Sequence, residues 1–374
     1  MKIVIIATHY LPHVGGLELA TYHLAKELEK QNNEIHIITP YPDPNKNTTS
    51  IHIHRHPIHT YPDEHPIRAF IDGLIFFRKT MKTIKEIRPD IIHAQNITNS
   101  IPAYLAWKIY HIPYVICIHG NLELMGPFLP DFLKRFWPKF PHIKAAAEII
   151  ALTNEMATRF GKELGKIPAV IPNGVDLERF YPAQIDEKKI SISPVILTLS
   201  RIDNKKGLEY AIESMTKIHA KFPTAKLQIV GEGEYRKELE NLAEKNTLSA
   251  TVEFTGLVPN SEVPNYLRNA DLFLLPSLYE GLPLTLLEAM ACGLPIISTP
   301  VSIAPEIIAT WKNGYIIPFK SPDAISKSVI DLLSNPDKRR QCAENSNRAA
   351  KETLSWEKVA KKYTELYQLI LESN

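Results

Sequence analysis

Strand-length apolar runs alternate with helix-length amphipathic segments along almost the whole chain, and this alternation confines it to few folds. Lys2–Ala7 opens the series as a buried strand. Between Glu18 and Lys30, Leu19, Tyr22, Leu24, Ala25 and Leu28 recur at helical spacing and form one apolar stripe. Glu34–Thr39 reads as the next strand, and Ile51–Arg55 alternates apolar and polar residues as a half-exposed strand does. An amphipathic helix follows over Ile67–Ile87, stopped by Pro89. Ile91–Ala94, Tyr114–His119, Glu148–Leu152 and Ala169–Ile171 continue as strands, with a helix near Ile101–His111. Repeated βα units of this kind require a parallel sheet with helices on both faces.

The rhythm breaks between Asn173 and Pro194, where Pro172, Pro182 and Pro194 punctuate a stretch without period. It then restarts with strands at Val195–Ser200, Ala225–Val230, Val252–Thr255, Leu272–Leu275 and Pro295–Ser298. Helical patterns separate them, among them Gly207–Phe222, Glu234–Asn246, Val263–Ala270 and Pro283–Ala291. A chain of 374 residues exceeds the size at which one core usually stops growing. The expectation is therefore an α/β protein of two doubly wound domains, 1–175 and 195–354, joined by a connection at 176–194. The last segment, 355–374, reads as a helix with Trp356, Val359, Ala360, Tyr363, Leu366, Tyr367 and Ile370 on one face.

Composition narrows the function classes. A net charge of +2 gives no case for nucleic acid. Three cysteines, Cys117, Cys292 and Cys342, are widely spaced and form no C-x-x-C pair, which argues against a disulfide framework or zinc site and for a reducing cytoplasm. The N-terminal run is strand-like rather than a signal peptide, and no apolar run reaches the ~18 residues of a membrane span. The glycine turn Gly15-Gly16 after the first strand lacks the G-x-G-x-x-G spacing of a dinucleotide fold, which counts against a nicotinamide enzyme. No D-x-D, H-E-x-x-H or P-loop is present, so no metal ligand set is visible in the motifs.

Three strand-to-helix turns of the second domain fall on the carboxyl edge of its sheet, where open α/β sheets place ligands. The richest runs from Glu280-Gly281-Leu282-Pro283 through Leu284, Thr285 and Glu288 to Ala289-Met290-Ala291-Cys292-Gly293. Pro283 suits the start of a helix, and the amides near Leu284 and Thr285 favour a phosphate. A carboxylate on each side can accept hydrogen bonds from hydroxyls. An acidic helix start plus an unrelated surface glutamate would also produce this spacing. Arg201 and Lys206 stand on the turn after Val195–Ser200, and together would clamp a diphosphate or simply form a solvated basic loop. Gly231-Glu232-Gly233 is the third turn. In the first domain His119-Gly120 ends a strand, a position that a structural histidine also fills.

Two stretches stand apart. His52, His54 and His56 share one strand face, for which an exposed strand is a simpler account than a metal site. Phe128 to Lys144 interleaves aromatics with Lys134, Arg135, Lys139 and Lys144, as a membrane-surface contact would, or as a segment packed on its domain.

With Gly15-Gly16, His119-Gly120, Pro172-Asn173-Gly174-Val175-Asp176, Arg201 with Lys206, Gly231-Glu232-Gly233 and the E-x7-E segment in place, the chain closely resembles the retaining glycosyltransferases of the family-4 type. The resemblance implies a GT-B fold, two Rossmann-like domains facing a central cleft, with the terminal helix crossing back to the first. It implies a nucleotide-sugar as substrate rather than cofactor, UDP-linked in preference to GDP-mannose, and no metal. Arg201 and Lys206 would hold the diphosphate, Glu280 the sugar hydroxyls and Glu288 the ribose. Backbone near Val258 would read the base, and amides at Gly281, Leu282, Leu284 and Thr285 the sugar and phosphates. Gly15, Gly16 and Gly231 would let backbone approach the donor, and His119 would touch the sugar. The implied acceptor is a glycan or a lipid-linked sugar, met in the cytoplasm or at the inner face of its membrane. An inactive nucleotide-sugar-binding partner of another transferase is the alternative.

Overall fold

The computed structural model describes residues 1–8, 10–11, 15–40, 51–57, 66–119, 140–183 and 193–373. Its backbone contacts divide the chain into two compact units, Met1–Gly174 with Trp356–Asn374, and Val175–Ser355.

The first unit is built on a seven-stranded sheet in the order β3-β2-β1-β4-β5-β6-β7. These strands are β1 Lys2–Ile6, β2 Glu34–Thr39, β3 His52–Arg55, β4 Ile91–Ala94, β5 Tyr114–Ile118, β6 Glu148–Ala151 and β7 Ala169–Val170. All neighbours pair in parallel. Burial on both faces explains why β1, β4 and β5 are continuous apolar runs rather than alternating ones. β3 lies at the edge and alternates, as its composition requires.

The terminal helix Trp356–Glu372 belongs to this unit although the whole second unit separates it in sequence. It docks through specific contacts. Trp356 stacks on His23 and lies where a Cβ on Gly174 would be, 2.7 Å from its ring. The Tyr367 hydroxyl meets His93 Nδ1 at 2.5 Å in the core, and Tyr363 meets Cys117 Sγ at 3.5 Å. Burial pushes the Cys117 thiol up to about 12. All three cysteines are buried, and none forms a disulfide.

The second unit carries a six-stranded parallel sheet in the order β10-β9-β8-β11-β12-β13. Its strands are β8 Val195–Leu199, β9 Lys226–Val230, β10 Val252–Gly256, β11 Leu272–Leu275, β12 Ile296–Ser298 and β13 Gly314–Ile316. Alternate residues of one strand feed opposite cores: Leu272 and Leu274 join one hydrophobic cluster, Phe273 and Leu275 the other. The stretch expected as a connection, 176–194, is not wholly a linker. Its described part up to Ala183 belongs to the second unit, where Phe180 is buried beside Val175. Residues 184–192 lie outside the described ones.

Strand order runs outward from β8 in both directions, so the direction in which successive strands are added reverses between β8 and β11 while all stay parallel. That reversal is the topological switch point, where neighbouring βα loops splay to opposite faces and leave a crevice at the carboxyl ends.

Candidate active site

The loops after β8 and β11 meet at this switch point and are stitched together. Leu278 N–H donates to the Lys205 carbonyl at 2.7 Å. Gly207 adopts φ +61°, and a Cβ there would lie 2.3 Å from the Pro276 carbonyl oxygen, so only glycine lets the two loops close. Within this seam the Lys206 ammonium donates to Glu280 Oε1 at 2.8 Å, and Ser277 Oγ donates to the same oxygen at 2.7 Å. The pair is largely buried, with side-chain exposures of 19% and 9%. One of the two candidate cations and one of the two candidate carboxylates therefore form a single group.

Arg201 is placed differently. Its side chain is 77% exposed, and its Nε and Nη2 both reach Asp203 Oδ2, at 3.1 and 3.0 Å. Asp203 is fixed in turn, because Oδ1 accepts from Lys205 N–H at 3.0 Å and caps the short 3-10 turn Asn204–Lys206. Arg201 is thus an outward-facing cation on a braced stem. Arg201 and Lys206 each pair with a carboxylate, and no contact joins them to one another among the described residues.

The turn Gly231–Gly233 packs under the Arg201 loop. Ile202 N–H donates to Glu232 O at 2.8 Å. A Cβ on Gly231, whose φ is +141°, would sit 1.9 Å from Ser200 O, and one on Gly233 would sit 2.0 Å from Ile202 O. These glycines hold the cation-bearing loop at its observed height.

The helix Leu284–Ala291 begins just beyond Glu280, with Pro283 at the N-cap rather than as its first residue. Leu282 and Leu284 pack their side chains against the core, so what they can offer a ligand is backbone. Leu286 N–H donates back to the Pro283 carbonyl at 3.1 Å. The Leu284 and Thr285 amides, at the first two positions, have no preceding helical turn to donate to, and the helix dipole adds a positive field there. Ser302 Oγ donates to the Gly281 carbonyl at 2.6 Å and fixes the preceding turn.

Glu288 lies further along that helix. Burial pushes its carboxyl up to about 7, opposed by the nearby Arg179 guanidinium. Arg179 itself donates to Asn260 O and Oδ1, both at 2.8 Å, which ties Glu288's surroundings to the loop that carries Val258. The Val258 side chain packs on the core.

In the first unit His119 follows β5 and bonds Gln95 Oε1 on the loop after β4. Burial holds its imidazole down to about 4, so it is neutral at pH 7. Gly15 caps the helix Gly16–Lys30, with Gly16 as its first residue. Gly120 and most of the aromatic-basic stretch, Phe128 to Lys139, lie outside the described residues; Pro141–Lys144 is a short helix. Among the described residues, no helix is long and apolar enough to cross a membrane.

Ser277, Asp203, Arg179 and Gln95 were not singled out by motif. Asp203 alone left a local signal, as an acidic residue opening a turn two places after an arginine. Ser277 lies three residues before Glu280 on the same loop, whereas Arg179 meets the Asn260 loop, and Gln95 meets His119 in the first unit, only through the fold.

Two family models account for nearly all of the chain. That of glycosyltransferase family 4 matches residues 14–179, and that of glycosyl transferases group 1 matches residues 183–349. An uncharacterised glycosyltransferase of Methanocaldococcus jannaschii is 29% identical, over 100% of this chain and 99% of its own. The alpha-monoglucosyldiacylglycerol synthase of Acholeplasma laidlawii is 24% identical, over 100% of this chain and 98% of its own. Among solved structures, Anabaena HepE in complex with UDP superposes with a TM-score of 0.80 at 18% identity, covering 99% of this chain and 100% of that one. The two parallel sheets, the switch-point loops and both family matches together make this chain a member of the group 1, family 4 glycosyltransferases, with the GT-B fold.

Proposed function

We propose that the chain is a retaining, metal-independent transferase that takes a UDP-linked sugar as donor and passes it to a glycan or lipid-linked acceptor. The observation that carries this reading is the buried Lys206–Glu280–Ser277 group at the switch point, beside the start of the helix Leu284–Ala291. Lys206 and the exposed Arg201 meet the diphosphate, joined by the amides of Leu284 and Thr285, and their fixed charge is worth most as the leaving group departs. Glu280, oriented by Lys206 and Ser277, accepts from sugar hydroxyls through its carboxylate. Glu288 accepts from the ribose, and the backbone near Val258 reads the base. In the first unit, neutral His119 can hydrogen-bond a hydroxyl through a ring nitrogen.

In the chemistry this arrangement suits, the acceptor oxygen forms a bond to the anomeric carbon while the bond from that carbon to the phosphate oxygen breaks. The electron pair leaves with the diphosphate, and the acceptor's proton passes to a phosphate oxygen on the same face. No protein base is required, and Glu280, held by a lysine, is unsuited to act as a glycosidase nucleophile.

A lipid-linked acceptor is supported by the helix Pro66–Ile87. It exposes Ile71, Leu74 and Ile75 alongside Arg78, Lys79 and Lys82, as a surface resting on anionic lipid would.

Thermal-shift screening against UDP- and GDP-sugars, followed by product analysis, tests the reading. The expected result is stabilisation by a UDP-sugar, a product of unchanged anomeric configuration, and full activity with chelator present. Binding without transfer or donor hydrolysis would instead identify an inactive nucleotide-sugar-binding partner. Inversion, or activity restored only by a divalent ion, would sink the mechanism.

A further inference from the structure

We propose that Glu34, His36 and His52, at the edge of the first unit's sheet, form a binding site for a divalent transition-metal ion of the zinc class. The site lies outside the transfer chemistry. Backbone register creates it: β2 and β3 pair in parallel with His36 opposite His52, and Glu34 precedes His36 by two on the same face. One ligand atom from each residue lies within 4.8 Å of the other two.

The finer geometry also fits. His36 Nε2 and Glu34 Oε1 are 2.9 Å apart. Two ligands bonded to one ion at ~2.1 Å, at right or tetrahedral angles, sit ~3.0–3.4 Å from one another. Replacing the hydrogen bond by an ion therefore needs an opening of only a few tenths of an ångström. His36 Nδ1, meanwhile, faces His54 Nε2 at 3.0 Å. Metal-bound imidazoles use their second nitrogen in this way to fix ring orientation, which makes His54 a positioning residue. His36 is buried and stacked against both His52 and His54, whereas Glu34 and His52 are exposed, so solvent completes the coordination shell.

Two imidazoles and one carboxylate make up the ligand set. Neutral imidazole with carboxylate is the donor set that zinc, nickel, cobalt and copper select. Lys2 is the competing cation, 3.2 Å from Glu34 Oε1 and 3.5 Å from the Ile87 carbonyl, and a bound ion would displace its half-buried ammonium from Glu34. A bound ion would cross-link edge strand β3 to β2.

The test uses the tag-free full chain, stripped with chelator and desalted. It is titrated with Zn²⁺ by calorimetry and with Co²⁺ by visible absorption. One ion per chain is expected, with cobalt bands typical of nitrogen and oxygen ligands and a zinc-dependent rise in Tm. His52→Ala, at an exposed position that leaves the fold intact by circular dichroism, is expected to weaken binding at least ~10-fold and abolish the Tm rise. His54→Gln is expected to weaken binding while leaving stoichiometry unchanged. Absence of binding at micromolar zinc, or equal affinity in wild type, His52→Ala and Glu34→Gln, overturns the site.

Discussion

Lys206 and Glu280 show how much a residue's role depends on its partner. Each shields the other from an uncompensated buried charge, so removing one alone is expected to cost more than removing both. Lys206→Met and Glu280→Gln should each destabilise the chain by about 1–3 kcal/mol, and the double variant by less than their sum, in a denaturant cycle. Lys206→Ala should also lower kcat/KM at least ~10-fold, through loss of a charge-assisted phosphate contact worth about 1.5–3 kcal/mol. Wild-type turnover in that variant would remove Lys206 from the diphosphate site.

Glu288 gives a pH signature at the same scale. Its folded pKa, about 7, lies above its ordinary 4.5, so the folded state binds this proton more tightly than the unfolded state does. The stabilisation is complete below pH 4.5 and is lost as pH rises from there to about 7. Glu288→Gln should lack this slope and gain at most about 3 kcal/mol relative to wild type between pH 5 and 8. Parallel stability profiles for the two proteins would refute the shift.

At the scale of elements, the site depends on loops held at contact distance by glycine. Gly233→Ala would push a methyl group into the Ile202 carbonyl and displace the Arg201 loop without touching any charged group. The expected outcome is a destabilisation of about 1–3 kcal/mol together with weaker UDP binding, read by denaturation and calorimetry. Unchanged nucleotide affinity would show that the loop's height does not matter. Element types were legible wherever the period was strong, since β1, β8, β11 and the long helices follow directly from apolar spacing. The helices Asn154–Leu164, Ala304–Trp311 and Pro336–Thr353 were not predicted. The last of these is polar overall, and it holds its shape by burying Cys342, Ser346, Ala349 and Ala350 against neighbours that a local pattern cannot reveal.

Across the whole molecule, the chain leaves the first unit, builds the second and returns. The terminal helix supplies Trp356, Val359, Ala360, Tyr363 and Tyr367 to a core whose strands β4 and β5 lie more than two hundred residues earlier. Truncation before Trp356 is expected to leave that core open and the protein aggregation-prone, as checked by light scattering. Trp356→Ala is expected to cost about 3–5 kcal/mol in stability. A soluble truncated chain with wild-type Tm would contradict this account.

The sequence by itself determined the layered α/β architecture, because burying both faces of parallel strands demands apolar runs at fixed intervals. It also marked the cation and carboxylate motifs, because turns at helix starts draw on few residue types. Only the tertiary structure decided which of these groups meet. Pairing Lys206 with Glu280 and His36 with His52 depends on strand order and register. Those arise from contacts between segments far apart in the chain, and no local spacing encodes them.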